Sequence, residues 1–203
     1  MKQELIQSFT GKDTRADYAS WMPLGITEWE NGPNGYNPGN GRVNVACVHP
    51  LHAQVIYVGA PSGGLWKSND GGATWNTTFD NMPHLGVSAI AIHPDSSQVV
   101  FAGTGDRDAY DTPCTGLYKS TEGGQQWTIS SHWVYGTPGF YTHADIHYLG
   151  FSGSRLFCGS DGGLFYSDDN GLNWTDISQG LGITQFYRMA SSPIDGNFLV
   201  AGA

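Results

Sequence analysis

Charge is scarce in this chain of 203 residues: Asp, Glu, Lys and Arg together make up 13% of it, and glutamate stands only at positions 4, 28, 30 and 122. Disordered tails are rich in charge and poor in aromatics, so 13% aromatic content beside so few charges excludes that class. Cations are scarcer than anions, 9 against 18, which gives a formal charge of −9 and a pI near 4.9. An acidic surface repels phosphate backbones, so nucleic acid is excluded as the expected partner and a glycan or a protein fits better. Cysteine is scarce as well: Cys47, Cys114 and Cys158 are an odd set that forms no disulfide framework. Cys47 and Cys158 lie in apolar runs, where Cys behaves as a small buried hydrophobe, while Cys114 lies in a loop as a free thiol. No stretch reaches the roughly 18 consecutive apolar residues of a membrane span, so no membrane insertion is expected. The segment 1–20 is polar and lacks the apolar core of a signal peptide, which leaves a cytoplasmic protein or one whose leader has been removed.

What the chain has in quantity is glycine, 29 residues of it, and a repeat. A first apolar strand, a turn and a second apolar strand ending on glycine recur four times along 21–203. The first unit reads Val43 to Pro50 and Val55 to Gly59; the second reads Val87 to Pro94 and Val99 to Gly103. The third reads Ile146 to Phe151 and Leu156 to Gly159; the fourth reads Phe186 to Pro193 and Phe198 to Gly202. The closing glycines are spaced by 44, 56 and 43 residues, the period of four-stranded β-propeller blades. Val55 to Val58 and Val99 to Ala102 are apolar throughout, which predicts sheets covered on both faces, as blades are by their neighbours. The expected fold is therefore all-β: antiparallel blades at about 42–86, 87–135 and 143–183, with an incomplete one at 186–203, in a propeller that is itself incomplete. A two-sheet sandwich is the alternative architecture.

Three units continue into a Gly-Leu-aromatic strand and then an octet of the form Ser-x-Asp-x-Gly-x-Thr-Trp. These are Ser68, Asp70, Gly72 and Trp75; Ser120, Glu122, Gly124 and Trp127; and Ser167, Asp169, Gly171 and Trp174. A short carboxylate can accept backbone N–H bonds from the residues just ahead of it, and glycine supplies a left-handed position without a Cβ clash. Asn170 tolerates that conformation nearly as well. The tryptophan is expected to cover the turn and anchor the fourth strand. Glu122 is one methylene too long to copy the short bond, so the second turn is expected to be the weakest. These roles are structural and not catalytic.

The octets resemble the Asp-box, or bacterial neuraminidase, repeats of sialidases, sortilin-type propellers and xyloglucan-degrading glycoside hydrolases. The stretches 34–39, 41–44, 60–68, 103–106, 143–147 and 184–188 further resemble large secreted bacterial proteins with sortilin-like repeats and a type IX secretion signal. The resemblance implies a secreted or cell-surface propeller, with its remaining blades supplied by a longer chain or by another copy. Ser20 to Gly25 resembles the stretch that comes after an octet and is expected to be an outer strand.

Candidate chemistry is sparse. On an extended chain His143, Asp145 and His147 project to one face, where two imidazoles and a carboxylate can hold a divalent metal; a hydrogen-bonded surface cluster is the plainer reading. Beyond that possible metal no cofactor is expected. Asp106, Arg107 and Asp108, with Asp111, form an acidic loop after a second strand, placed either to contact ligand or simply to face water. Arg42 and Arg188 sit at first strands, nearest a propeller's axis, where they can meet an anionic ligand or make ion pairs. The five arginines (15, 42, 107, 155, 188) single out no sialidase triad, and the 14 Asp residues single out no carboxylate pair. The expected function is thus a non-catalytic binding or adhesion module for a glycan or protein. A sialidase-like or xyloglucanase-like glycoside hydrolase is the alternative, and a scaffold or assembly propeller the third reading.

Overall fold

A computed structural model describes residues 39–106, 112–184, 188–191, 194 and 199–202. The expectations for 1–38, including the outer strand near Trp21, lie outside the described residues, as do Arg107, Asp108 and Asp111. The described residues form strands joined by turns, with no helix. The first sheet holds β1 (Val45–Val48), β2 (Ile56–Ala60), β3 (Gly64–Ser68) and β4 (Asn76–Thr77). The second holds β5 (Val87–Ile92), β6 (Val100–Thr104), β7 (Gly116–Ser120) and β8 (Thr128–His132). The third holds β9 (Ile146–Ser152), β10 (Arg155–Ser160), β11 (Gly163–Ser167) and β12 (Thr175–Asp176). In each, every strand pairs antiparallel with the next in sequence. A two-stranded sheet, β13 (Arg188–Ser191) with β14 (Leu199–Gly202), begins a fourth unit.

The three four-stranded sheets are blades stacked face on face. Side chains alternate across a strand, so blade 2 feeds two cores at once. Ile90, Ile92, Val100, Ala102, Tyr118 and Trp127 pack on Tyr57, Leu65 and Phe79 of blade 1. Ala89, Ala91, Phe101 and Leu117 pack on Ile146, Leu149, Leu156, Cys158, Phe165 and Trp174 of blade 3. This explains why Ala89 to Ile92 and Val100 to Ala102 are apolar throughout and why β5 and β6 are buried at every position. The same expectation for Val55 to Val58 needs correction: β2 alternates between buried and half-buried residues, because blade 1 has a covered face and an open one among the described residues. The repeated glycine marks the closest approach between blades. A Cβ on Gly59 would lie 2.6 Å from the Val87 side chain, and one on Gly103 would lie 2.5 Å from that of Ile146. Each blade's first inner residue rests where its predecessor has no side chain.

Candidate functional site

The octet turns are built alike. Ser68 Oγ accepts the Gly72 N–H at 2.8 Å and donates to Asp70 Oδ1 at 2.8 Å, while Asp70 takes the Thr74 N–H at 2.8 Å and the Thr74 hydroxyl. Ser167 and Asp169 repeat this with Gly171 and Asn173. The hydrogen bonds from Thr74, and then from Ser68, hold the exposed Asp70 carboxyl down at about 2. At Asp169 burial pushes the carboxyl up, but the bonds from Asn173, Ser167 and Leu172 together outweigh it and leave it lowered. Two successive left-handed residues close each turn: Gly71 and Gly72, Gly123 and Gly124, Asn170 and Gly171. The Ser120 turn keeps its hydroxyl bond to Gly124, at 2.9 Å, while the Glu122 side chain makes none of the bonds that Asp70 makes. Its compensation comes from blade 1, where Tyr57 Oη and Lys67 Nζ both donate to the Gly123 carbonyl at 2.9 Å. The tryptophans do more than cover turns. The Trp127 ring meets Phe79 of blade 1 edge-on at 5.4 Å, and Trp174 is buried in the core between blades 2 and 3.

The octets lie at one end of the blades and the chemistry lies at the other. First and third strands begin there and second and fourth strands end there, so the linker 133–145 and the loop 161–162 meet. His143 and Asp145 are left-handed, with φ of 67° and 48°, which corrects the extended-chain expectation for His143, Asp145 and His147. Left-handed turns break the two-residue alternation that would have aimed all three one way. Among the described residues no group of three His, Cys, Asp or Glu converges to hold a metal ion. What the turns achieve is to press His143 onto Gly162 and Asp145 onto Gly105, where a Cβ would collide with either side chain. Burial first, and the nearby Asp161 second, push the Asp145 carboxyl up, while the Asp106 N–H pulls the other way. His147 Nε2 is 2.5 Å from Asp161 Oδ1. Among the described residues, three of the four buried side-chain polar atoms without a partner lie at this end, Thr115 Oγ1, His143 Nδ1 and Ser160 Oγ, the fourth being Trp174 Nε1.

Beside the acids lie exposed aromatics. Trp133 and Tyr135 are open to solvent, Tyr135 meets Tyr141 edge-on at 5.2 Å, and Tyr141 meets His143 at 6.0 Å. A shallow crevice lined by Ser62, Pro83, His84, Leu85, Gly86, Thr112 and Pro113 opens between blades 1 and 2 at the same end.

Asp106 is buried, and its carboxylate accepts bonds from the Arg42 guanidinium and from Asn44 Nδ2. The pair Arg42–Asp106 joins blade 1 to blade 2, which is the ion-pair reading of these residues. Arg188 is the first residue of β13. Asp161, Trp133 and Tyr135 were not among the residues singled out from sequence. A signal for Asp161 exists: an acid follows the closing glycine of a second strand both in Gly103-Thr104-Gly105-Asp106 and in Gly159-Ser160-Asp161.

Paired inner strands, stacked blades and loops gathered at one end define part of a β-propeller. The chain is 28% identical over 169 residues to a xyloglucanase from Paenibacillus sp, covering 72% of this chain and 14% of that protein. It is 27% identical over 194 residues to a xyloglucanase from Hypocrea jecorina, covering 79% of this chain and 22% of that protein. The chain thus spans under a quarter of the length of either relative. Among solved structures an ancestral GH74 enzyme superposes with a TM-score of 0.58 at 23% identity, over 79% of this chain and 22% of that one, a likeness of fold. No family model matches the chain. The two curated relatives are enzymes by name, and nothing in these similarities supports the non-catalytic binding reading.

Proposed function

We propose that this chain forms part of a secreted glycoside hydrolase propeller acting on a xyloglucan-like polysaccharide, with its octets serving as Asp-box turns. The observation that carries this is the pair Asp145 and Asp161 at the loop end. Glycoside hydrolysis uses two carboxyl groups whose surroundings push their protonation apart, one kept as an acid and the other ionised. Asp145, raised by burial and by its neighbour, suits the acid that protonates the leaving oxygen. Asp161, within 2.5 Å of His147 Nε2 and open to solvent, suits by its position the second carboxyl group, the one that attacks or activates water. The exposed faces of Trp133 and Tyr135 offer flat apolar floors to sugar rings, as aromatics with one wet side do. A neutral polymer also suits a chain of net charge −9, which an anionic glycan would not.

The test is release of reducing ends from xyloglucan, with a glycan-binding measurement on the same protein. Asp145→Asn is expected to lower turnover by roughly 10²–10⁴-fold with binding retained. Because the acid must be protonated, wild-type turnover should fall as pH rises through the elevated Asp145 value. Glycan binding with no turnover in wild type would sink the hydrolase reading and restore the binding module.

A further inference from the structure

Blades 1, 2 and 3 carry apolar side chains at matching positions on the face that looks back along the chain, but among the described residues only two of those faces are covered. On blade 2 this set is Ile90, Ile92, Val100, Ala102, Tyr118 and Trp127, all buried against blade 1. The strand registers map it onto Ala46, Val48, Ile56, Val58, Trp66 and Trp75 of blade 1. There Val48 is 53% exposed and Trp75 is 39% exposed, against 9% for Trp127 and 5% for Trp174. So regular a set of apolar residues left open marks a contact surface.

The two covered junctions show what seats on such a face. A lysine of the preceding blade's third strand donates to the carbonyl of the left-handed residue in the next octet: Lys67 to Gly123 at 2.9 Å and Lys119 to Asn170 at 2.7 Å. An aromatic of the preceding blade's second strand fills the hollow over the following glycine. A Cβ on Gly124 would meet Tyr57 at 3.2 Å, and one on Gly171 would meet Phe101 at 2.6 Å. At the open face of blade 1, a Cβ on Gly72 would meet Trp75 alone among the described residues. Blade 3 breaks the pattern, because Tyr166 stands where Lys67 and Lys119 stand. Arg155 lies over the Tyr166 ring at 4.1 Å and is held by two bonds to Asp168, at 2.7 and 2.8 Å.

We infer that the open face of blade 1 is a docking surface for a further blade of this repeat, one with an aromatic on its second strand and a lysine on its third. The lysine closes on the Gly71 carbonyl and the aromatic closes over Gly72 beside Trp75. This rests on the blade junctions alone and stands or falls independently of hydrolysis.

The test extends the full chain ahead of Met1 with a second copy of residues 87–135, which brings Phe101 and Lys119. A parallel extension uses residues 143–183, which bring Phe157 and Tyr166 instead. Fluorotryptophan NMR reads the Trp75 resonance, assigned by its loss in Trp75→Phe. The first extension is expected to shield Trp75 to the level of Trp127, and Lys119→Met in the added copy to undo much of that; the second is expected to leave Trp75 open. The inference is overturned if a folded first extension leaves Trp75 open or if the second shields it equally. It is overturned too if the unextended chain already buries Trp75: a dimer by light scattering would make a second copy the occupant, and a monomer would make the chain's own residues before 39 the occupant. A measurement needing no extension is Lys67→Met, which should increase solvent exposure at Trp127; no change there would remove the lysine from the interaction.

Discussion

At Gly103 one missing methyl group decides how closely two blades approach. Gly103→Ala forces a Cβ against the Ile146 side chain inside a packed core, and overpacking of this kind costs about 1–3 kcal/mol. Urea unfolding of the variant should show that loss, with the transition still cooperative. The glycine's place in the repeat was legible in the sequence, but its reason was not, because the colliding residue belongs to the next unit 43 positions away. Ser68 is a second case. It is buried, and Ser68→Ala strands the Gly72 N–H, an unsatisfied donor worth about 1–3 kcal/mol. Asp70 governs the acid side. Its folded value, about 2, lies below the ordinary carboxylate value, so its contribution is complete above about 4. That contribution disappears as pH falls through the folded value. Asp70→Asn should flatten this part of the stability profile between those limits, read by urea melts at stepped pH.

At the scale of strands, octets and their tryptophans, the pattern of strands one to three was readable because alternation, glycine spacing and turn chemistry agree. β5, β6 and β9 fall where apolar runs begin. The fourth strands were less legible: β4 and β12 are two residues each, too short to leave a pattern. The Glu122 turn was expected to be weak from its own residues, and the support from Tyr57 and Lys67 comes across a blade junction that local reading does not see. The tryptophans share one sequence context and differ in packing. Trp127→Ala should cost about 3–5 kcal/mol, as large aromatics in cores do, while Trp75→Ala should change stability by about 0.5 kcal/mol or less. Parallel chemical melts of the two variants check this contrast. The acidic loop end was the least legible, since His143 and Asp145 read as strand residues until their left-handed turns are known.

Across the whole molecule, stability should follow position in the stack. Among the described residues each blade contacts only its neighbours, so the one gripped from both sides is the firmest. Hydrogen exchange should be slowest in β5 and β6 and faster in β1 and in β13–β14; uniform protection would contradict a stacked array. Asn170 carries a different kind of consequence. An asparagine before glycine ages when the glycine nitrogen attacks the side-chain carbonyl, and that reaction needs a mobile backbone. Here the Gly171 N–H is tied to Ser167 Oγ at 2.8 Å, so the folded turn preserves a residue that heat or denaturant would expose to deamidation. Isoaspartate at Asn170 would then record how often this turn has opened.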